Sequence, residues 1–332
     1  MAGMMLAMHM ANELLTPGVA IGLLVLAGAG LAFSSWRTRL AVDDAKAPLM
    51  GVMGAFVFAA QMINFPILPM TSGHLGGGVL LAILLGPHAA TLVMASILIV
   101  QCLIFQDGGL LALGANIINL GFIPCYLGYF LFRIVGGKTP GTNRLYLAVL
   151  CATMVGMLAG AAMVPVEVWA SGTLQVPLPK FLAVMVGLHV LVALGETLIT
   201  FCVLAYLHRI RPALVVPKAA VDEQPLSAAP VLASVLIAAL VLGGVVSLYA
   251  SEWPDALESI TDSESLNVRT ADSTLIANVN TLQEQTAPLP DYQFTSFSGV
   301  IGTLLSLAII WGAARLLQRR PARVHEHVHP SP

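Results

Sequence analysis

Long uncharged apolar runs recur along the chain, at Pro17–Ser35, Pro48–Leu68, Leu110–Phe132, Leu145–Val164, Val231–Ala250 and Phe297–Ala314. Phe181–Leu207 is interrupted only by Glu196, and Leu75–Phe105 carries no charge at all. A membrane-crossing helix needs about 20 mostly apolar residues, so the pattern predicts repeated spanning helices. Gly86-Pro87 falls near the middle of Leu75–Phe105. Proline lacks a backbone donor and clashes with the preceding turn, so the run divides into Leu75–Leu85 and His88–Phe105. The first of these is too short to cross alone. It is expected to be tilted or partly re-entrant, with protein covering its backbone. The expected fold is an all-α polytopic membrane protein of nine segments.

Composition sharpens this reading. The 332 residues are 58% hydrophobic and 10% charged, where soluble domains carry about 25% charge. An ordinary soluble protein is excluded. The net charge of −2, with no long basic patch, argues against nucleic-acid binding. Basic residues favour the cytoplasmic side. With the N-terminus outside, Arg37, Arg39, Lys46, Arg133, Lys138, Arg144, Arg209, Arg211, Lys218, Arg315, Arg319, Arg320 and Arg323 fall inside. That is 13 of the 15 basic residues, leaving Lys180 and Arg269 outside. The expectation is a multi-pass protein of the cell inner (plasma) membrane with a cytoplasmic C-terminus. The first residues lack a positive n-region, so the first run reads as a retained span. Cys102, Cys125, Cys151 and Cys202 lie in apolar runs without a CxxC pair, which predicts buried free thiols.

Residues 1–211 hold seven segments, residues 212–230 read as a cytoplasmic linker with four prolines, and residues 231–332 form a transmembrane hairpin. Its outside loop, 251–295, carries 8 of the 17 acidic residues against a single arginine, Arg269. Charge alone reads this as a solvated loop that can attract cations.

Polar groups inside a membrane are costly, so each needs an explanation. The densest set is Asn64-Phe-Pro-Ile-Leu-Pro-Met-Thr71-Ser72-Gly-His74-Leu-Gly-Gly-Gly78. Pro66 and Pro69 are expected to end the second helix, with a turn at Thr71-Ser72-Gly73 and His74 starting the third segment near the outer face. His74 there is a hydrogen-bonding residue or a metal ligand. Met8-His9-Met10 lies on the same side. In a chain beginning at Met8, the free amine, the deprotonated amide nitrogen of His9 and its Nδ1 would form fused chelate rings. An imidazole such as that of His74 would complete a square of nitrogens, a geometry suited to Ni(II) or Cu(II). The seven residues before Met8 include three methionines, which makes an upstream start plausible. Gln101, Asn116 and Asn119 are placed to bond across the bundle or to orient ligands. His189 and Glu196 share one helix face, as a structural pair or as a cation or proton site. The tail His325-Glu-His-Val-His329 lies on the cytoplasmic side; it could bind metal weakly, but the polarity of a free tail explains it adequately. No GxxxxGK[ST] motif occurs, so ATP-driven transport would need a separate ATPase.

Together these residues resemble the CbiM/NikM family, the substrate-capture components of energy-coupling-factor (ECF) transporters for cobalt and nickel. The resemblance runs from Met8-His9 through Asn64-Phe-Pro-Ile, Thr71-Ser-Gly-His74 and Leu84-Leu-Gly-Pro87. It continues through Gln101, Phe105-Gln-Asp-Gly-Gly109, Ala112-Leu-Gly-Ala-Asn116, Asn119-Leu-Gly121, His189 and Gly195-Glu196. The C-terminal part is similar to the family's small accessory subunit. Trp253-Pro254-Asp255-Ala256-Leu257-Glu258 looks like its Pro-Asp-Gly-Leu-Glu motif, with Ala256 in place of Gly, and Pro288-Leu-Pro-Asp291-Tyr292 is a second marker. The resemblance implies that Met8, His9 and His74 hold Ni(II) or Co(II) as transported substrate. It also implies a transmembrane coupling subunit and ATPase subunits as partners, so that this chain is not itself an enzyme. Two departures stand out: the seven extra N-terminal residues, and Ala11-Asn12-Glu13 where the family has Pro-Glu-Gly or Pro-Asp-Gly.

Two other readings compete with this one. A stand-alone secondary cation transporter would use Glu196 and His189 for proton coupling. An intramembrane enzyme would use Ser72 and His74, which lie two apart without an evident nucleophile–base geometry.

Overall fold

The computed structural model describes residues 9–40, 46–137, 140–215, 229–261, 271 and 273–318. Met8, most of the expected linker and the tail 325–329 lie outside the described residues. The chain builds α1 (Pro17–Arg39), α2 (Lys46–Gln61), a hairpin of β1 (Phe65–Leu68) and β2 (Thr71–Gly73), α3 (Gly78–Leu85) and α4 (Pro87–Phe105). A rod at Leu113–Gly136 follows. Its α-helical ends are α5 (Leu113–Asn116) and α6 (Tyr129–Gly136). Then come α7 (Thr142–Ala170), α8 (Leu178–Ile210), α9 (Ala229–Gly244), α10 (Ala256–Thr261), α11 (Thr274–Thr286) and α12 (Thr295–Leu317).

Among the described residues, 7 helices are long and apolar enough to cross a membrane. The other two expected segments are α2, with 16 residues, and α3, with 8. Every residue of α3 is buried, as a short segment inside a membrane protein requires. Gly77 (φ 77°) opens it and Gly86 (φ 81°) separates it from α4, whose first residue is Pro87. Proline suits that first position because its missing N–H would have no partner there.

The second apolar run departs from expectation. Its helix stops at Gln61, not near Leu68, and Phe65–Leu68 pairs antiparallel with Thr71–Gly73. Pro66 disfavours helical backbone at Phe65 and lacks an N–H, so the chain turns extended before the prolines are reached. The hairpin carries His74 out of its second strand. A second irregularity lies in the rod, which is π-helical at Ile117–Phe122 and Pro124–Gly128. Such turns are rare and concentrate at functional sites. Asn116 and Asn119 flank the place where the α-helix gives way.

The main core centres on α2, which is buried along nearly its whole length and packed by α4, α9 and α12. Small residues permit this. A side chain on Gly51 would come within 2.9 Å of Trp311 Cβ, and one on Gly299 would run into the Gly243 carbonyl. Close backbone approach at glycine is the usual way membrane helices gain packing contact. The C-terminal hairpin is thereby fastened to the centre of the bundle.

Candidate metal centre

His9 begins the described chain in a short loop ahead of α1, and it is only 3% exposed. The loop is held in place residue by residue. Met10 N donates to Asn116 Oδ1 at 3.0 Å, and Asn116 Nδ2 returns a bond to Met10 O at 3.2 Å. Asn12 Oδ1 accepts from Leu111 N at 2.7 Å. Met10, Leu14 and Leu15 enter a second apolar cluster with Phe181 and Met185. The loop is therefore a built part of the fold, on the end of the rod where its π-helical turns begin.

Asp107, between α4 and the rod, meets His9 Nδ1 at 2.8 Å through Oδ1. Burial disfavours charge on His9, but the Asp107 carboxylate and its hydrogen bond outweigh that and hold the His9 pKa above its ordinary value. Burial pushes Asp107 the other way, and His9 pulls it below the usual carboxylate range. His9 Nε2 is buried with no hydrogen-bond partner. An unpaired buried nitrogen is costly and calls for an explanation.

His74 lies beside it, the two rings 5.6 Å apart between centroids and inclined at 52°. His74 Nδ1 faces Leu75 O at 3.1 Å. The loop after it is anchored from below. Gly76 N and Gly77 N donate to the two oxygens of Glu196 at 3.1 and 3.2 Å, and Gln61 Nε2 donates to Gly76 O at 2.8 Å. A side chain at Gly76 would meet Glu196 Oε2 at 2.8 Å, so only glycine lets the carboxylate seat there.

The C-terminal hairpin closes the other side. Ser72 N donates to Pro254 O at 2.8 Å, which brings Asp255 against the His74 strand. Asp255 Oδ2 lies 3.9 Å from His74 Nε2, and Oδ1 accepts from Glu258 N at 2.8 Å to cap α10. Burial pushes the Asp255 pKa up to about 7. The Tyr292 hydroxyl donates to Asp107 Oδ2 at 2.6 Å, and its ring stacks on Phe105 with centroids 4.6 Å apart. Burial and the charge of Asp107 hold the Tyr292 phenol well above its ordinary pKa. Asp291 and Tyr292 both take left-handed backbone (φ 52°), a strain of about 1–3 kcal/mol each that such contacts must offset. Gln283 Nε2 donates to Gly108 O at 2.8 Å, and Asn12 Nδ2 donates to Asn280 Oδ1 at 2.6 Å. The acidic stretch read from charge as solvated is thus docked at particular points, Asp255 being buried against the His74 strand, while Glu252, Glu284 and Asp291 stay exposed.

The sequence-derived residues gather unevenly. His9, His74, Asn116, Asn119, His189, Glu196 and Asp255 all line one cavity. Gln101 does not line it, but donates to Gln61 Oε1 at 3.0 Å and hydrogen-bonds the Tyr292 hydroxyl that holds Asp107. Asn64 contributes its carbonyl to Ser251 N at 2.8 Å, and Thr71 pairs with Leu68 across the hairpin. The Ser72 hydroxyl donates to Trp253 O at 2.7 Å, so it fastens the hairpin and does not face His74 as a nucleophile would. Met8 lies outside the described residues. Among those described, no three His, Cys, Asp or Glu side chains converge as a ready metal site, so any ion bound there draws on backbone or terminal nitrogen as well. Sequence reading missed Asp107 as a site residue, and also Glu167, whose Oε2 accepts from Asn119 Nδ2 at 2.8 Å. Glu167 is a charged residue in an apolar helix, a signal that was present. Gln283 and Asn280 sit on a polar helix and gave none.

Comparison with known proteins matches this architecture. The family model for the cobalt uptake substrate-specific transmembrane region, CbiM, matches residues 9–214, and a PDGLE domain matches residues 229–319. A protein of Archaeoglobus fulgidus named "Putative fused nickel transport protein NikMN" is 32% identical over 309 residues, covering 93% of this chain and 98% of its own. The fused nickel transport protein NikMN of Rhodobacter capsulatus is 31% identical over 186 residues, covering 52% of this chain and 54% of its own. The crystal structure of a truncated transition metal transporter, 28% identical, superposes with a TM-score of 0.54 over 61% of this chain and 99% of that one. The chain belongs to the CbiM family of cobalt uptake substrate-specific transmembrane proteins and carries a PDGLE domain at its C-terminal end.

Proposed function

We propose that this chain captures Ni(II) or Co(II) at the outer face of the cell membrane as the substrate-binding component of an ATP-driven ECF importer. The observation that carries this reading is the burial of His9 beside His74, the two rings 5.6 Å apart between centroids, where the N-terminal loop is locked onto the rod. In a chain starting at Met8, the amine, the His9 amide nitrogen and His9 Nδ1 supply three nitrogens, and His74 supplies the fourth. Four nitrogens in a plane favour nickel, while the relatives are named for nickel and for cobalt transport alike.

In this structure His9 Nδ1 faces Asp107. Loading therefore exchanges that bond for a metal–nitrogen bond and releases protons, so acid weakens capture. Asp107 is then freed to offset the cation's charge. The fused domain closes over the loaded site through Asp255, Tyr292 and Gln283. We place the N-terminus outside and the C-terminus in the cytoplasm, with a cytoplasmic linker at 212–230 joining a capture domain to an accessory hairpin. A transmembrane coupling subunit and two ATPase subunits would supply the driving force. ATP-dependent uptake of nickel in vesicles containing all the subunits tests this. Loss of uptake in His74→Ala supports it; uptake that continues without any ATPase but collapses with the proton gradient overturns it.

A further inference from the structure

One cavity of about 80 Å³ takes in the His9–His74 pair at one side and is walled on the other by the rod, α7 and α8. Besides those histidines it is lined by Asn119, Met157, Met185, His189 and Glu196. His189 and Glu196 are the twelfth and nineteenth residues of the 33-residue α8, so this wall lies well inside the bundle. Volume of this size holds several waters or a partly hydrated ion.

Three features mark it as more than a packing defect. His189 Nδ1 is committed to Met185 O at 2.8 Å, which fixes the proton on Nδ1 and leaves Nε2 as the lone-pair nitrogen. Metal-binding histidines are ordinarily oriented by such a bond from the other ring nitrogen. Asn119 is only 5% exposed, its Nδ2 is spent on Glu167, and its Oδ1 is buried without a partner. Glu196 adds a buried carboxylate that the Gly76 and Gly77 amides hold in place. A carboxylate in a membrane interior is expensive unless it serves a cation or a proton.

We propose that this cavity holds a second, inner site for the transported divalent metal, with His189 Nε2 and Asn119 Oδ1 as ligands and Glu196 as counter-charge. The metal reaches it after leaving His9 and His74 and completes its coordination with water. Imidazole nitrogen suits Ni(II), and replacing the other nitrogens by a neutral oxygen makes a weaker ligand set that favours onward release. The inference rests on the capture reading of the outer site, yet it is measured separately from it.

The experiment is a calorimetric titration of Ni(II) into the purified full chain beginning at Met8. The expected parent profile has a tight class and a weaker class, each of about one ion. His189→Ala, and His189→Gln where the larger side chain protects the fold, should weaken the second class by about tenfold or more while leaving the first unchanged. His74→Ala should remove the tight class and spare the weaker one. A parent with no second class, or a second class unmoved in both His189 variants, overturns the inner site. A tight class unmoved in His74→Ala overturns the outer reading instead.

Discussion

Tyr292 and Asp107 are joined by a 2.6 Å hydrogen bond, and the other oxygen of Asp107 meets His9. A residue at the entrance to the last helix is thus one carboxylate away from the first described residue of the chain. Hydrogen bonds to charged groups contribute about 1.5–3 kcal/mol. Tyr292→Phe keeps the ring stack on Phe105 and loses the hydroxyl's bonds to Asp107 and Gln101, so its thermal midpoint in detergent should fall below the parent's. Tyr292→Ala loses the stack too and should fall further. Equal midpoints for the parent and Tyr292→Phe would remove the hydroxyl from the account.

Asn12 makes the second crossing between the two ends of the chain, with bonds to Leu111 N, Asn280 and Gln283. Asn12→Ala leaves the Leu111 amide short of its side-chain acceptor, at a cost of about 1–3 kcal/mol. Amide exchange should speed up together in the His9–Leu15 loop and in α11. Faster exchange in one alone would mean that they are not coupled through this residue.

The fused hairpin depends on close packing at glycine. A Cβ on Gly299 would collide with the Gly243 carbonyl, whereas one on Gly312 meets nothing within 4 Å. Gly299→Ala should destabilise by about 1–3 kcal/mol. Gly312→Ala should be close to neutral. Thermal melts of the two variants side by side give the comparison, and equal values would contradict the helix contact.

The apolar runs announced the helices because a lipid environment leaves little choice: a spanning backbone must satisfy its own hydrogen bonds. Gly86-Pro87 announced the break before α4 for the same local reason. The end of α2 was harder, since Ile63 and Phe65–Leu68 are as apolar as a helix would be, and only the hairpin pairing decides against it. Asp255 was one of several acids in a loop, and nothing local separates a carboxylate docked at His74 from one in water. Asp107 stands two residues beyond the end of α4, where a charge usually marks the membrane boundary. Its contacts with His9 and Tyr292 depend on folding across nearly the whole chain. Glu167 lay just past the apolar run that ended at Val164, so its continuation within α7 went unread.

The central claim is that a free amine at Met8, with His9 and His74, holds the metal. The most direct measurement is the metal content of the purified chain beginning at Met8, with its N-terminus either free or acetylated. Acetylation removes the amine's charge and its capacity to chelate. Counting only the tightly held metal that survives exhaustive dialysis, the free chain should hold about one Ni(II) or Co(II), and the acetylated chain essentially none. Equal metal content in the two forms would contradict the claim.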